Sequence, residues 1–184
     1  MSDAFLQLPP EDRREALAVA AAASGRPVHL LEKDVWVVWT LNVLFSAPFA
    51  KQLVFKGGTS LSKAYQVIRR FSEDIDITYD IRAIAPDLVE DFTEPLPPTR
   101  SQEKRWTREI RSRLSDWVRE TTLPLIEAAL TSQRLTARPQ ADGDKIVIDY
   151  EPLATGSGYV NPAVLLEFGA RSTGEPFEHR PVRC

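Results

Sequence analysis

The chain has 184 residues, 43% of them hydrophobic and 27% charged, which suits one globular domain and excludes a disordered chain. A formal net charge of −3 excludes a general positive field for nucleic acid, so any such contact must be local. The single cysteine excludes an internal disulfide, and no apolar run approaches the roughly 20 residues of a membrane-spanning helix, so we expect a cytoplasmic protein without membrane contact.

Two helices are predicted at the N-terminus. From Pro10 to Ser24 a proline, charged residues and an alanine-rich stripe are typical of a helix, which Gly25 ends. From Val28 to Phe45 apolar residues recur three or four positions apart, and this spacing predicts a second helix with Trp36 and Trp39 in the core.

A strand, a glycine-rich loop and a third helix are predicted next. Residues 52–55 form a short apolar run, residues 57–60 form a tight loop, and Thr59 or Ser60 is the expected N-cap of the helix. Backbone N–H groups exposed between a strand and a helix attract phosphate, and Lys63 either reaches that phosphate or is solvated. The loop is therefore a phosphate-binding site or an ordinary strand-to-helix turn.

The following segment, residues 74–79, alternates polar and apolar positions as a half-buried strand does. Asp74 and Asp76 then share one face, and their mutual repulsion is easier to sustain if cations lie between them. Magnesium is the natural candidate, because it takes carboxylate and phosphate oxygens and activates hydroxyls in nucleotidyl transfer. Two acids alone also fit a solvated face, but the succession of strand, glycine turn, helix and acidic strand favours nucleotide chemistry.

The rest of the chain predicts a long surface connection, a broken helix and two strands. Residues 82–101 hold four prolines and should be extended, while residues 102–130 are typical of a helix that breaks near Pro124. Residues 145–150 and 163–168 are the strand candidates. The fold class is therefore α/β (α+β), with a mixed sheet flanked by helices and preceded by an N-terminal helical layer.

A basic cluster lies on or near the helix predicted from residue 102. Its cations would hold RNA phosphates, but interspersed acids are more typical of a solvated, ion-paired face. The basic members are Arg100, Lys104, Arg105, Arg108, Arg111 and Arg113, and the acids are Glu103, Glu109 and Asp116.

The segments FKGGTSLSKAY and IRRFSEDIDI, residues 55–65 and 68–77, resemble the nucleotidyltransferase AbiEii/AbiGii toxin family of the DNA polymerase beta-like superfamily. LLEKDVWV, residues 30–37, is similar to the family's N-terminal helix signature, and the resemblance extends from about residue 28 to residue 171. It implies a nucleotidyltransferase core that binds metal, Mg²⁺ or alternatively Mn²⁺, through Asp74 and Asp76. The nucleoside triphosphate (NTP) ligands that it implies or suggests are Gly57, Gly58, Thr59, Ser60, Lys63 and Arg70.

Superfamily members often complete the site with a third carboxylate on a neighbouring strand. Glu167 in VLLEFGAR is our candidate, Asp149 competes with it, and either could be a surface acid. Arg171 would pair with phosphate or with Glu167. The family's catalytic lysine and aspartate lie in a helical half that has no match here, so whether this chain is active alone stays open.

We therefore expect an N-terminal helical segment at 1–48, a nucleotidyltransferase core at 49–171, and a tail at 172–184 that stops before a C-terminal helical half. The resemblance implies a toxin of a toxin–antitoxin or abortive infection system, with a cognate antitoxin as partner. It would transfer a nucleoside monophosphate to an RNA acceptor, with transfer RNA as the candidate. A small-molecule, antibiotic-type nucleotidyltransferase and a non-catalytic nucleotide-binding or partner-binding module are the alternatives.

Overall fold

The computed structural model describes residues 2–68, 74–89, 99–154, 161–170 and 177–182. Within them the helices are α1 (Ser2–Leu6), α2 (Pro10–Ser24), α3 (Val28–Phe45), α4 (Gly57–Lys63), α5 (Ile81–Ile84), α6 (Pro86–Val89), α7 (Arg100–Trp117) and α8 (Leu123–Ser132). The strands are β1 (Leu53–Lys56), β2 (Asp74–Tyr79), β3 (Arg138–Asp142), β4 (Lys145–Asp149) and β5 (Ala163–Gly169). The predicted α/β class, with a mixed sheet flanked by helices, is confirmed.

The five strands form one mixed sheet in the order β1-β2-β5-β4-β3. β2 and β5 are parallel neighbours, and the other three pairings are antiparallel. Sequence-distant strands therefore meet at the centre of the sheet, and residues of β2 and β5 lie side by side. The helices described here include none that is long and apolar enough to span a membrane.

The hydrophobic core lies between one face of the sheet and the helices. Ile75 and Ile77 of β2 and Leu166 of β5 are fully buried in it, as the alternation of polar and apolar residues requires. Helix α3 contributes Trp36 and Trp39, and the prediction that both are core residues is confirmed. Helices α1 and α3 thus share one core with the sheet, and the opposite sheet face is left for polar residues.

Three consecutive charged residues of α3 are buried, and each has a separate partner. The Glu32 carboxylate accepts the Leu153 backbone N–H at 3.0 Å, and Lys33 Nζ donates to the Asn161 carbonyl at 3.2 Å. Asp34 forms an ion pair with Lys63 of α4. Buried charges need such partners, because unpaired ones carry a large desolvation cost. These residues therefore fix α3 against α4 and the segment around Leu153.

Several predicted boundaries were wrong. The residues taken as a tight loop, 57–60, are the first turn of α4, whose N-cap is Lys56 and not Thr59 or Ser60. Part of the expected extended connection folds as α5 and α6, which bury Ile81 and Val89 respectively.

The helix expected over residues 102–130 runs as α7, a π-helical turn at Val118–Thr122 and α8, so Pro124 lies near the start of α8. Pro124 directly follows the π-helical turn and cannot donate an N–H to the preceding turn of the continuous helix. Strand β3 was not predicted at all.

Candidate active site

Four charged residues form a row across four strands on the sheet face opposite the core. In the strand register Lys56 lies opposite Asp76, Asp76 opposite Glu167, and Glu167 opposite Lys145. Directly paired residues point to the same side of a sheet, so the row places two carboxylates between two lysines. We call these residues the charged row.

Asp76 has an unfavourable environment for a carboxylate. Burial is the largest cause of the raised pKa of Asp76. The negative charges of Glu167 and Asp74 raise this pKa further, while Lys56 lowers it. Asp74 lies two residues earlier on β2, opposite Leu165. An excess of negative charge around a half-buried carboxylate favours a bound cation.

Glu167 is held by Lys145. The Lys145 ammonium donates a hydrogen bond to the Glu167 carboxylate, and this bond is the main cause of the raised pKa of Lys145. The two side chains are 48% and 35% exposed, so water screens the pair. Lys145 was not among the residues predicted from the sequence, because its place beside Glu167 depends on the order of the strands.

Gly57 lies directly against Asp76. Its φ is +75°, in the left-handed region that glycine tolerates, and a Cβ added there would lie 2.7 Å from Asp76 Cγ. A side chain at this position would therefore displace the carboxylate. Glycine is required both for the turn from β1 into α4 and for the approach to Asp76.

Lys56 was also missed by the sequence analysis, although it precedes the glycine pair directly. Its Nζ lies 3.7 Å from where a Cβ on Gly169 would stand, so the side chain extends across β2 towards β5. It is thus a cation on the acidic side of the sheet, next to the first turn of α4.

The other predicted triphosphate ligands have different environments. Thr59 is buried, and its hydroxyl donates to the Asp74 carbonyl at 2.5 Å, which joins α4 to β2. The Lys63 side chain is largely buried and forms an ion pair with Asp34, so it is not solvated. Ser60 is buried but lies on the wall of a cleft. Arg70 lies outside the described residues, as does Arg171.

That cleft has a volume of about 1480 Å³ and lies between α3, β1, α4 and residues 177–182. Lys56, Gly57 and Ser60 form its wall beside the charged row. Tyr65 lies further along, with the guanidinium carbon of Arg180 4.4 Å from its ring centroid. The first turn of α4 therefore borders both the carboxylates and a cleft that exceeds the usual size of a small-molecule site.

The carboxylates are suited to a magnesium ion whose remaining coordination positions are filled by substrate oxygens. Among the described residues no group of three or more His, Cys, Asp or Glu side chains converges closely enough to hold a metal alone. Magnesium usually takes only one or two protein carboxylates, with water and phosphate filling the other positions. Asp76 and Glu167 are two such carboxylates side by side on neighbouring strands, whereas Asp149 lies opposite Ala163, four residues before Glu167 on β5.

A mixed sheet that carries adjacent carboxylates beside a helix that begins with glycine is consistent with a nucleotidyltransferase-like fold. The family model described as "Nucleotidyl transferase AbiEii toxin, Type IV TA system" matches residues 40–184. The chain therefore belongs to the AbiEii nucleotidyl transferase toxin family of type IV toxin–antitoxin systems. No curated protein and no solved structure matches it.

Proposed function

We propose that the chain transfers a nucleoside monophosphate from an NTP to a hydroxyl of RNA, with transfer RNA as the acceptor, and releases pyrophosphate. The observation that carries the proposal is the adjacency of Asp76 and Glu167 beside Gly57, because nucleotidyl transfer needs carboxylates next to a place for phosphates. Membership of the AbiEii family supports both the reaction class and a cognate antitoxin as partner.

Asp76 and Glu167, with Asp74 beside them, are the residues that would hold Mg²⁺ or Mn²⁺. When bound, the metal neutralises charge on the transferred phosphate and lowers the pKa of the attacking hydroxyl. The metal requirement is supported by the raised pKa of Asp76, whose burial and acidic neighbours disfavour its charged form.

The first turn of α4 and Lys56 are assigned to the triphosphate. Gly57 and Gly58 let phosphate oxygens approach the backbone N–H groups of this turn, which have no side-chain cap. Lys56 supplies a positive charge on the same side of the sheet, and Glu167 is our candidate for the group that takes the proton of the acceptor hydroxyl. Lys63 is left out of this assignment, because Asp34 already holds it.

The proposal is tested by incubating the chain with Mg²⁺, each α-labelled NTP and total RNA. Asp76→Asn should abolish transfer of label to RNA, because it removes a charge of the carboxylate pair without changing the side-chain shape. Asp149→Asn is the matched control: it removes an exposed carboxylate from β4, outside the charged row, and should leave transfer intact.

Other outcomes would separate the alternatives. Label that reaches an added small-molecule acceptor but not RNA would indicate an antibiotic-type enzyme. Binding of NTP without any transfer would indicate a non-catalytic module. Equal transfer of label by wild type and Asp76→Asn would show that the charged row takes no part in the reaction.

A further inference from the structure

The N-terminal half of α7 carries cations whose charges no described acid neutralises. Arg100, Lys104, Arg108 and Arg111 are exposed, and they lie at positions i, i+4, i+8 and i+11, on one face of the helix. They line one side of an open concavity of about 660 Å³. We call these four residues the α7 basic stripe.

The acids of α7 point to other partners. Glu109 pairs with Arg113, and Asp116 pairs with Arg119. Within the described part of the chain, no carboxylate lies within ion-pair distance of the α7 basic stripe, although Glu103 borders the same concavity. The structure therefore separates the stripe from Glu109 and Asp116, while Glu103 lies beside the stripe without forming an ion pair with it.

The stripe is also unfavourable for the helix that carries it. Arg100 and Lys104, and then Lys104 and Arg108, are like charges four residues apart, which weakens a helix. The residues from Arg100 to Arg105 are all exposed, whereas the opposite end of α7 is anchored by Trp117, which stacks on Tyr79 at 4.2 Å. A helix segment that is polar on every side and self-repelling gains stability from a bound polyanion.

We propose that the α7 basic stripe binds the phosphate backbone of the RNA acceptor. This inference rests on the proposed function for the identity of the acceptor. Phosphate contacts from lysine and arginine position a nucleic acid without reading its sequence. A protein partner fits less well, because protein interfaces have an apolar or aromatic centre, and the four stripe residues are all charged.

The test compares two variants of the full chain that lose the same number of positive charges. The stripe variant is Arg100→Gln, Lys104→Gln, Arg108→Gln and Arg111→Gln. The control is Arg26→Gln, Arg119→Gln, Arg134→Gln and Arg138→Gln, which removes exposed charges from scattered positions. Glutamine is a good helix former, and far-ultraviolet circular dichroism checks that α7 is retained.

Binding of bulk transfer RNA is measured by filter binding without NTP or metal, over a range of salt concentrations. The stripe variant should bind roughly tenfold to hundredfold more weakly, and its slope of log K against log salt should be shallower by about 3. The control should keep most of the wild-type affinity and slope.

Equal RNA binding by the two variants, or no binding by wild type, would overturn the proposal. The proposal would also be overturned if the stripe variant lost binding to polyglutamate but kept its binding to transfer RNA, since that result would assign the stripe to an acidic protein. Transfer of label to RNA is scored separately: if wild type transfers label and the stripe variant has the same KM for RNA, the proposed function stands while the stripe assignment fails.

Discussion

The α-carbon of Gly57 packs against the carboxylate of Asp76, so the turn that begins α4 and the central acid of β2 are in direct contact. The contact depends on the absence of a side chain at residue 57, where φ is +75°. The position of one candidate catalytic group is thereby coupled to the backbone of the candidate phosphate-binding turn.

Gly57→Ala should both destabilise the fold and disturb the site. A non-glycine residue in the left-handed region costs about 1–2 kcal/mol, and the added methyl group must also displace Asp76. Urea unfolding should show this loss, and nucleotidyl transfer should fall by more than the loss of folded protein explains.

Gly58→Ala is the matched control, because Gly58 lies in the same helix without a positive φ. Alanine is a better helix former than glycine, and residue 58 has no positive φ, so this variant should lose less stability than Gly57→Ala. If the two substitutions had equal effects on stability, the contact with Asp76 would not be the reason why residue 57 must be glycine.

Lys63→Met should destabilise the chain through Asp34 and not through the triphosphate. The side chains of Lys63 and Asp34 are only 10% and 8% exposed, and removing one partner of a buried pair costs about 3 kcal/mol or more. The double variant Asp34→Asn/Lys63→Met should recover most of that stability in urea unfolding, because no buried charge is left unpaired.

The double variant also decides between the two roles of Lys63. Its affinity for NTP, measured by isothermal titration calorimetry, should match that of wild type. A stable double variant that bound NTP about tenfold more weakly would show that Lys63 leaves Asp34 to reach the triphosphate.

The central elements could be predicted from the sequence because their patterns are local. Strand β2 and the buried tryptophans of α3 follow from residue spacing alone. Strand β3 could not be predicted, since RPQAD is polar and contains Pro139, which an edge strand tolerates when it pairs on one side only. Its strand character comes from pairing with β4, which is a non-local property.

The charged row likewise combines features that a local sequence pattern reveals with features that depend on strand pairing. Asp74 and Asp76 share a strand, so their common face was readable from the sequence. The position of Lys145 beside Glu167 depends on the pairing of β4 with β5, and no pattern within either segment encodes that register. Glu167 was reached only through the family resemblance, and its catalytic role stays a prediction.

Lys145→Gln should strengthen metal binding. Lys145 donates to Glu167, so a cation must compete with the ammonium for that carboxylate. An exposed ion pair contributes little, so the affinity for Mn²⁺, measured by electron paramagnetic resonance, should rise by no more than about fivefold.

Lys51→Gln removes the same charge from outside the charged row and should leave the affinity for Mn²⁺ close to that of wild type. If Lys145→Gln instead weakened Mn²⁺ binding, Lys145 would be a residue that orients Glu167 for the metal, and not its competitor.

Glu32 should make the stability of the chain depend on pH. Burial raises its pKa above the usual value of 4.5, although the backbone N–H groups of Leu153 and Ala154 oppose the shift. Between about pH 4.5 and the raised pKa, Glu32 binds more protons in the folded chain than in the unfolded chain, so its contribution to the free energy of unfolding falls as the pH rises over that range.

Glu32→Gln keeps an oxygen that accepts the Leu153 N–H but cannot ionise. Its stability relative to wild type should therefore increase from about pH 4.5 upward and level off above the raised pKa, as urea unfolding at each pH would show. Glu151→Gln removes a negative charge from the neighbouring surface and controls for net charge. A difference between Glu32→Gln and wild type that stayed constant with pH would mean that Glu32 titrates alike in the folded and unfolded chains.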